Sequence, residues 1–368
     1  MQSTWRDLFS DTTPTTASLA LLEPLQPHLR ALEQGPEQRP LHQPSLAQAL
    51  LQLDLPPWRV SELLSDHNDF CYRQAITRAL DEMQEQGWGE PPVSFCVIVM
   101  GSGGRHESLL HPDQDNGLIL DDYPPERHAE IDSWFLNLAE RFTATLHRAD
   151  IPYCRGDVMA SRPLWRKPIS EWREQMRLWM GTRRVRLVQM CNILFDFSPV
   201  YGEAGLASDL RDSIFAQRSE AGLFLHEMGE LFDESPVALD RFDRLQGDGR
   251  EAPHPDAVNL KRQGLLPLTG ALRLMALLKG CPEVSSRARL QWLREQEVIS
   301  RDTHWRLLGA FERLQARLLA AQLEALRQES VPDNWLDIRC LCDGEKRELQ
   351  WDLQQVRAFQ RKVRQTRI

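Results

Sequence analysis

The chain has 368 residues, of which 42% are hydrophobic and 26% are charged, and its formal net charge is −9 at pH 7. This balance is typical of an ordinary globular protein with a sizeable core, and it excludes wholesale disorder. The length allows about two or three domains. An acidic chain is poorly suited to bind nucleic acid through a broad basic surface, so we expect no nucleic-acid partner.

The sequence also lacks the signals of a membrane or secreted protein. No apolar run approaches the roughly 20 residues that a spanning helix needs, and the N-terminus has no basic start followed by an apolar stretch. The seven cysteines are scattered and odd in number, which indicates neither a disulfide framework nor a zinc site. We therefore expect a cytoplasmic protein with reduced thiols and no membrane partner.

Residues 1–90 are predicted to form an N-terminal helical segment with an irregular start. The stretch Gln34–Pro44 carries three prolines and is typical of a loop or linker. Apolar residues then recur at helical spacing from Ser45 to Gln86, and glycine and proline end the pattern at Trp88–Pro92.

Residues 91–215 contain the clearest strand signals and are predicted to form the catalytic domain. In chain order, the predicted elements are a buried strand over 93–100, a second strand over 117–120, helices over about 125–149 and 169–190, and a third strand over 192–202.

From residue 216 to 368 strand signals vanish, and helical patterns such as Leu260–Leu278 and Trp305–Leu326 dominate. The chain is therefore predicted to be an α+β protein, with a small mixed sheet, flanking helices and a C-terminal helical bundle.

The segment from Gly101 to Asn116 joins the first two predicted strands and carries chemically useful residues. A glycine at 101 allows backbone amides to approach a phosphate closely, and Ser102 adds a hydroxyl donor. The guanidinium of Arg105 is planar and can donate two parallel hydrogen bonds to phosphate oxygens. His106 and His111 flank this segment, and nothing in the pattern assigns either as a ligand.

Asp113 and Asp115 are two residues apart, so in an extended stretch both side chains leave the same face. Two carboxylates on one face suit Mg²⁺, which prefers oxygen ligands and retains waters and phosphate oxygens. With two ions, one activates an attacking hydroxyl and the other steadies a leaving pyrophosphate.

Each of these pieces alone has an ordinary explanation, since glycine-rich stretches are usually turns and a DxD is common on solvated loops. Their order is more informative: an apolar strand, Gly-Ser, a short connection, and a DxD that enters a second apolar strand. That order favours a nucleotide-transfer site. The P-loop pattern, the dinucleotide-binding GxGxxG and the protein-kinase motifs are all absent.

Gly101-Ser102 followed by Asp113 and Asp115 resembles the motif of the DNA-polymerase-β-like nucleotidyltransferase superfamily. More narrowly, the blocks 101–107 and 113–116 resemble the bacterial protein-PII uridylyltransferase-like family of nucleotidyltransferases, which is often associated with CBS domains. Softer matches at 154–161, 195–202 and 259–265 extend the resemblance over about residues 50–365.

The resemblance implies a nucleotidyltransferase-type sheet and a role for each matching residue. Gly101, Ser102 and Arg105 would bind the nucleotide, and Asp113 and Asp115 would bind the metal ions. Asp196 would be the third metal-binding and catalytic carboxylate, which helps to deprotonate the acceptor. The alternative for Asp196 is a strand-end aspartate that organises the following turn. Residues 216–368 would form the substrate-binding domain.

The activity that the resemblance implies is Mg²⁺-dependent transfer of UMP or AMP from a nucleoside triphosphate to a hydroxyl of an acceptor. The acceptor would be a PII-like signalling protein or a small molecule, the latter as in adenylyltransferases that modify antibiotics. The alternative is a catalytically inactive module that senses a nucleotide in signalling.

Overall fold

The computed structural model describes residues 43–53, 55–181, 190, 192–218, 221–234, 236–249 and 252–366. The predicted irregular start lies outside the described residues. The chain divides into two compact units. The first contains the described residues up to Gln175 together with Phe197–Ser213, and the second contains those of Met176–Asp196 and Ile214–Ile368.

The first unit begins with two helices, α1 (Gln43–Leu51) and α2 (Pro57–Glu85). Pro57 occupies the first turn of α2, where a missing backbone N–H costs nothing. Because α2 packs against the sheet and against the helix that follows it, the predicted boundary at residue 90 does not separate two units. The predicted boundary at 215/216 lies close to the change of unit after Ser213.

The sheet of the first unit has four strands in the order β3-β2-β1-β4. Its strands are β1 (Phe95–Met100), β2 (Asn116–Leu120), β3 (Arg166–Pro168) and β4 (Phe197–Gly202). β1 pairs antiparallel with β2 and β4, while β2 pairs parallel with β3, so the sheet is mixed as predicted. Every residue of β1 and β2 is buried, which explains their continuous apolar or amide-bearing sequences.

Three further helices lie wholly or partly in this unit, namely α3 (His128–Arg148), α4 (Ile169–Met180) and α5 (Ala204–Gln217), and α4 and α5 end in the second unit. The core between sheet and helices contains Phe135, Leu138 and Phe142 of α3, which recur at helical spacing and are fully buried. The predicted helix over 125–149 is therefore confirmed, apart from a 3-10 turn over its first three residues.

The third strand differs from the prediction at its start. Residues 192–194 are helical, and the strand begins only at Phe197. The backbone N–H of Asp196 donates to the carbonyl of Ile193 at 3.3 Å, so Asp196 lies in the turn before β4. A short apolar run fits a buried helix as well as a strand, and periodicity alone does not separate the two.

The second unit is mainly helical, as predicted. Its helices are α6 (Gly222–Glu230), α7 (Leu266–Lys279), α8 (Ser286–Glu295), α9 (Arg301–Arg327) and α10 (Asp343–Gln365). Ser285 and Ser300 cap α8 and α9, because each hydroxyl accepts a hydrogen bond from a backbone N–H of the first turn.

Strand signals were expected to vanish in this region, but the structure contains a small ribbon there. β5 (Ala257–Asn259) pairs antiparallel with β6 (Trp335–Asp337). Strands of three residues are too short to show a repeating pattern in the sequence. Across the described part of the chain, no helix has both the length and the apolar character that crossing a membrane requires.

Candidate functional site

A tight turn follows the buried strand β1. The chain passes directly from Met100 into one helical turn, Gly101–Gly104, which we call the glycine turn. Gly101 has φ +61°, a left-handed conformation that residues with a side chain avoid. A Cβ at this position would lie 3.0 Å from Oδ2 of Asp115, and Ser198 of β4 donates to the carbonyl of Gly104 at 2.7 Å. The turn is therefore fixed between the Asp115 carboxylate and β4.

The two predicted metal ligands lead into β2. Asp113 is exposed and Asp115 is half-buried, whereas Gln114 and Asn116 between and after them are fully buried. This alternation is that of an extended chain, and it agrees with the expectation that both carboxylates leave the same face. The N–H of Met100 donates to the carbonyl of Asp115 at 2.8 Å, which fixes Asp115 opposite the end of β1.

The two buried amides hold this segment in place. Gln114 Nε2 donates to the carbonyls of Thr143 and Ile151 at 2.9 and 2.8 Å. Asn116 Nδ2 donates to the hydroxyl of Tyr72 at 3.2 Å, and Asn116 Oδ1 accepts from the N–H of Ala160 at 2.8 Å. These bonds orient the strand so that the aspartates point away from the core. Sequence analysis missed both amides, although polar residues at alternate positions of a buried strand were a visible signal.

A thiol lies beside Asp115. Burial, followed by the charge of Asp115, raises the pKa of the Cys154 thiol to about 11. A single parallel bridge between Gln114 and Tyr153 brings the segment that carries Cys154 to this position. This neighbour was also missed by sequence analysis, because the bridge joins segments far apart in the sequence.

Ser102 and Arg105 occupy different surroundings. Ser102 is half-buried in the glycine turn, and its hydroxyl lies 3.5 Å from that of Ser108. Arg105 is buried, and its Nε donates to Glu107 Oε2 at 2.6 Å. A phosphate bound by Arg105 would have to share the guanidinium with Glu107.

The expected third carboxylate, Asp196, belongs to the second unit, whereas Asp113 and Asp115 belong to the first. Asp196 is fully buried. Its Oδ2 accepts from Nε and Nη2 of Arg273 at 2.9 and 2.6 Å, and its Oδ1 accepts from Nη2 of Arg289 at 2.7 Å. Both carboxylate oxygens therefore bind arginines, a pairing that the sequence did not indicate.

The donor set of the first unit fits a magnesium ion held jointly with a substrate. Among the residues that the structure describes, no three His, Cys, Asp or Glu side chains are grouped closely enough to hold a metal ion. Asp113 and Asp115 supply carboxylate oxygens, which Mg²⁺ prefers, and Mg²⁺ usually retains waters and phosphate oxygens as its other ligands. If magnesium binds here, Asp113 and Asp115 are the side chains that would hold it.

Two family models match the chain. The model described as “Putative nucleotidyltransferase DUF294” matches residues 42–185, and the model described as “Putative nucleotidyltransferase substrate binding domain” matches residues 222–366. The first match contains the glycine turn, Asp113 and Asp115; the second contains Arg273 and Arg289; Asp196 falls between them. A comparison with curated protein sequences finds no match.

Proposed function

Because the chain belongs to the nucleotidyltransferase family that these two models describe, we propose that it transfers a nucleoside monophosphate, UMP or AMP, from a nucleoside triphosphate to a hydroxyl group. The observation that carries the proposal is the proximity of Gly101 to the Asp115 carboxylate, since a Cβ at Gly101 would lie 3.0 Å from Asp115 Oδ2. This proximity places a turn whose backbone amides can lie close to a phosphate next to a pair of carboxylates that suit Mg²⁺.

In the proposed reaction the glycine turn and the Ser102 hydroxyl bind the triphosphate, while Asp113 and Asp115 hold magnesium. Of two magnesium ions, one would activate the attacking hydroxyl and the other would stabilise the negative charge of the leaving pyrophosphate. The acceptor oxygen forms a bond to the α-phosphorus, and the bond from that phosphorus to the pyrophosphate oxygen breaks. The hydroxyl proton passes to a base, a role that the family resemblance gives to Asp196.

The acceptor is proposed to be a PII-like signalling protein or a small molecule with a hydroxyl group. The match of residues 222–366 to a substrate-binding domain supports the helical unit as the part that recognises it. Nothing in the chemistry of the turn selects the nucleobase, so uridine and adenosine nucleotides are both tested below.

A nucleotide sensor without turnover is the second candidate, and one observation favours it. Both oxygens of Asp196 accept hydrogen bonds from arginines, and in that arrangement the carboxylate is a poor base, because two cations stabilise its ionised form. Catalysis through Asp196 would therefore require its release from Arg273 and Arg289.

Incubation with each labelled nucleoside triphosphate, Mg²⁺ and cell extract tests the proposal. Label should reach an acceptor with the native protein and disappear with Asp113→Asn plus Asp115→Asn. Asp121→Asn is the matched control, since Asp121 is an exposed carboxylate directly after β2 and should retain the native activity. Equal labelling by the native protein and the double variant would rule out the enzyme, and nucleotide binding without transfer would establish the sensor.

A further inference from the structure

A row of buried polar side chains runs along α2 beneath the loop that joins the glycine turn to Asp113. The row consists of Ser65, Asp66, Asn68 and Asp69, and we call it the polar seam. All four residues are buried, although polar residues of a helix normally face solvent. Such a cluster is costly unless its groups are paired, so its partners indicate what it is for.

The partners of the polar seam come from the loop and from α1. The N–H of Ser108 donates to Ser65 Oγ at 3.0 Å. The N–H of His111 donates to Gln43 Oε1 at 3.1 Å, and the Gln43 amide donates in turn to Asn68. The loop is thus attached to the helices at two points.

His106 forms the third attachment and has unusual geometry. Its backbone has φ +56°, a left-handed conformation that is uncommon outside glycine and persists where the surroundings enforce it. Its Nδ1 lies 3.5 Å from Asp66 Oδ1, and its Nε2 lies 3.3 Å from Asp69 Oδ2. Both ring nitrogens face carboxylates. Only the imidazolium has a proton on each nitrogen, so the arrangement suits the charged ring.

Other charged groups lie near the polar seam. From α2, Arg73 lies 3.7 Å from Asp69, and Glu62 is paired with Arg59 at 3.0 Å. On the loop itself, Arg105 and Glu107 pair with each other, as described above. The His106 ring itself lies within 3.5 Å of both seam carboxylates, one at each nitrogen.

The titration of His106 follows from these neighbours. Burial lowers the pKa of His106, but the hydrogen bond and charge of Asp69, with the charges of Asp66 and Glu62, outweigh burial and raise it above the usual value. The ion pairs are complete below the ordinary histidine pKa and are lost as the pH rises through the raised pKa of the folded protein.

We propose that His106, as an imidazolium bridging Asp66 and Asp69, is a positioning residue that holds the loop between the glycine turn and Asp113 in the geometry that binds the triphosphate. This inference rests on the proposed function, because it assigns the nucleotide to the same site. Deprotonation removes the positive charge from both contacts and leaves two buried carboxylates close together. The loop is then free to relax, and both of its ends carry nucleotide-binding or metal-binding residues.

The test measures the affinity of fluorescent ATP and UTP analogues with Mg²⁺ from about pH 5.5 to about pH 9, a range that brackets the ordinary histidine pKa. Native affinity should fall on the alkaline side by about tenfold, the factor that matches a difference of one unit between the pKa of His106 with and without nucleotide. His106→Lys keeps a positive charge throughout the range and should remove that fall. His106→Asn tolerates the left-handed backbone but has no charge, so it should bind weakly at every pH.

His111→Asn is the matched control. His111 lies in the same loop and also has a left-handed backbone, with φ +52°, but its exposed ring contacts none of the described residues through a hydrogen bond or ion pair. Its pH profile should match that of the native protein. Because the nucleotide phosphates titrate identically with every variant, the difference between the native protein and His106→Lys isolates the imidazole.

Each outcome has a definite meaning. If folded His106→Asn binds as the native protein does at every pH, the inference is wrong. Should that variant fail to fold, Asp66→Asn decides, since loss of this charge must move the alkaline fall to lower pH; an unmoved profile overturns the inference. Native protein that is folded yet binds neither nucleotide at any pH refutes the proposed function, and the inference with it. If the native protein binds nucleotide and His106→Asn has the same pH profile of affinity as the native protein, the inference is refuted and the proposed function is not.

Discussion

The Cα of Gly101 lies so close to the carboxylate of Asp115 that an added Cβ would stand 3.0 Å from Oδ2. Because Gly101 also has φ +61°, any side chain there meets both a strained backbone and a displaced carboxylate. The glycine and the aspartate therefore act as a single constraint on the site.

The first prediction concerns that constraint. Gly101→Ala should lower the free energy of unfolding by about 1–2 kcal/mol, because alanine disfavours a left-handed backbone, and it should weaken Mg²⁺-dependent nucleotide binding by moving Asp115. Urea unfolding and binding titrations measure the two effects. Gly103→Ala is the matched control for stability, since its Cβ would meet nothing nearer than 3.7 Å. Equal stability of the two variants would contradict the role of Gly101.

The second prediction concerns the buried bond between Tyr72 and Asn116. Tyr72→Phe leaves Asn116 Nδ2 without its acceptor and should lower the free energy of unfolding by about 1–3 kcal/mol. Urea unfolding measures the change. Tyr201→Phe serves as the control, since the hydroxyl of Tyr201 makes no hydrogen bond to the described residues while its ring stacks on Phe95. A control as destabilised as Tyr72→Phe would show that the lost hydrogen bond to Asn116 does not explain the effect.

The third prediction separates the two roles considered for Asp196. Asp196→Ala leaves Arg273 and Arg289 buried without their carboxylate and should destabilise the fold by about 3–5 kcal/mol. Asp302→Asn, which removes one partner of an exposed ion pair with Arg306, should cost at most about 1 kcal/mol. Thermal or urea unfolding compares them. A fully stable but inactive Asp196→Ala would instead favour a purely catalytic role.

The fourth prediction uses the thiol beside the site. Because burial and Asp115 raise the pKa of Cys154 to about 11, its thiolate fraction near neutral pH should be roughly a hundredfold below that of an ordinary cysteine. Iodoacetamide should therefore label the exposed Cys340 and Cys342 well before Cys154, as read by peptide mass spectrometry. Asp115→Asn should accelerate labelling of Cys154 and leave the other two unchanged. No acceleration would mean that Asp115 does not influence the thiol.

Local signals in the sequence were sufficient for the central strands and for the fold class. β1 and β2 are continuous buried runs with glycine, proline or aspartate at their ends, and such runs are recognisable without knowledge of the fold. The order of the glycine turn and the DxD also indicated that the two belong to one site. The distance between Gly101 and Asp115 required the antiparallel pairing of β1 with β2, which the sequence did not specify.

The polar seam and the pairing of Asp196 were not predictable from the sequence. Asp66 and Asp69 have the composition of a solvated helix face, and only the packing of a distant loop buries them. The arginines that bind Asp196 lie far along the chain at Arg273 and Arg289, in helices whose periodicity indicates packing rather than ion pairing. Partners so remote in sequence leave no local pattern.

The alternation over residues 113–116, with two carboxylates outward and two amides inward, has a consequence for how this protein tolerates change in evolution. A slip of one residue would bury both aspartates and expose both amides, because neighbouring side chains of a strand face opposite sides. The core itself would thus reject a one-residue slip of the strand. Insertions and deletions should be confined to the connecting loops. The strand that carries the aspartates should therefore keep its length even where the surrounding surface residues are substituted.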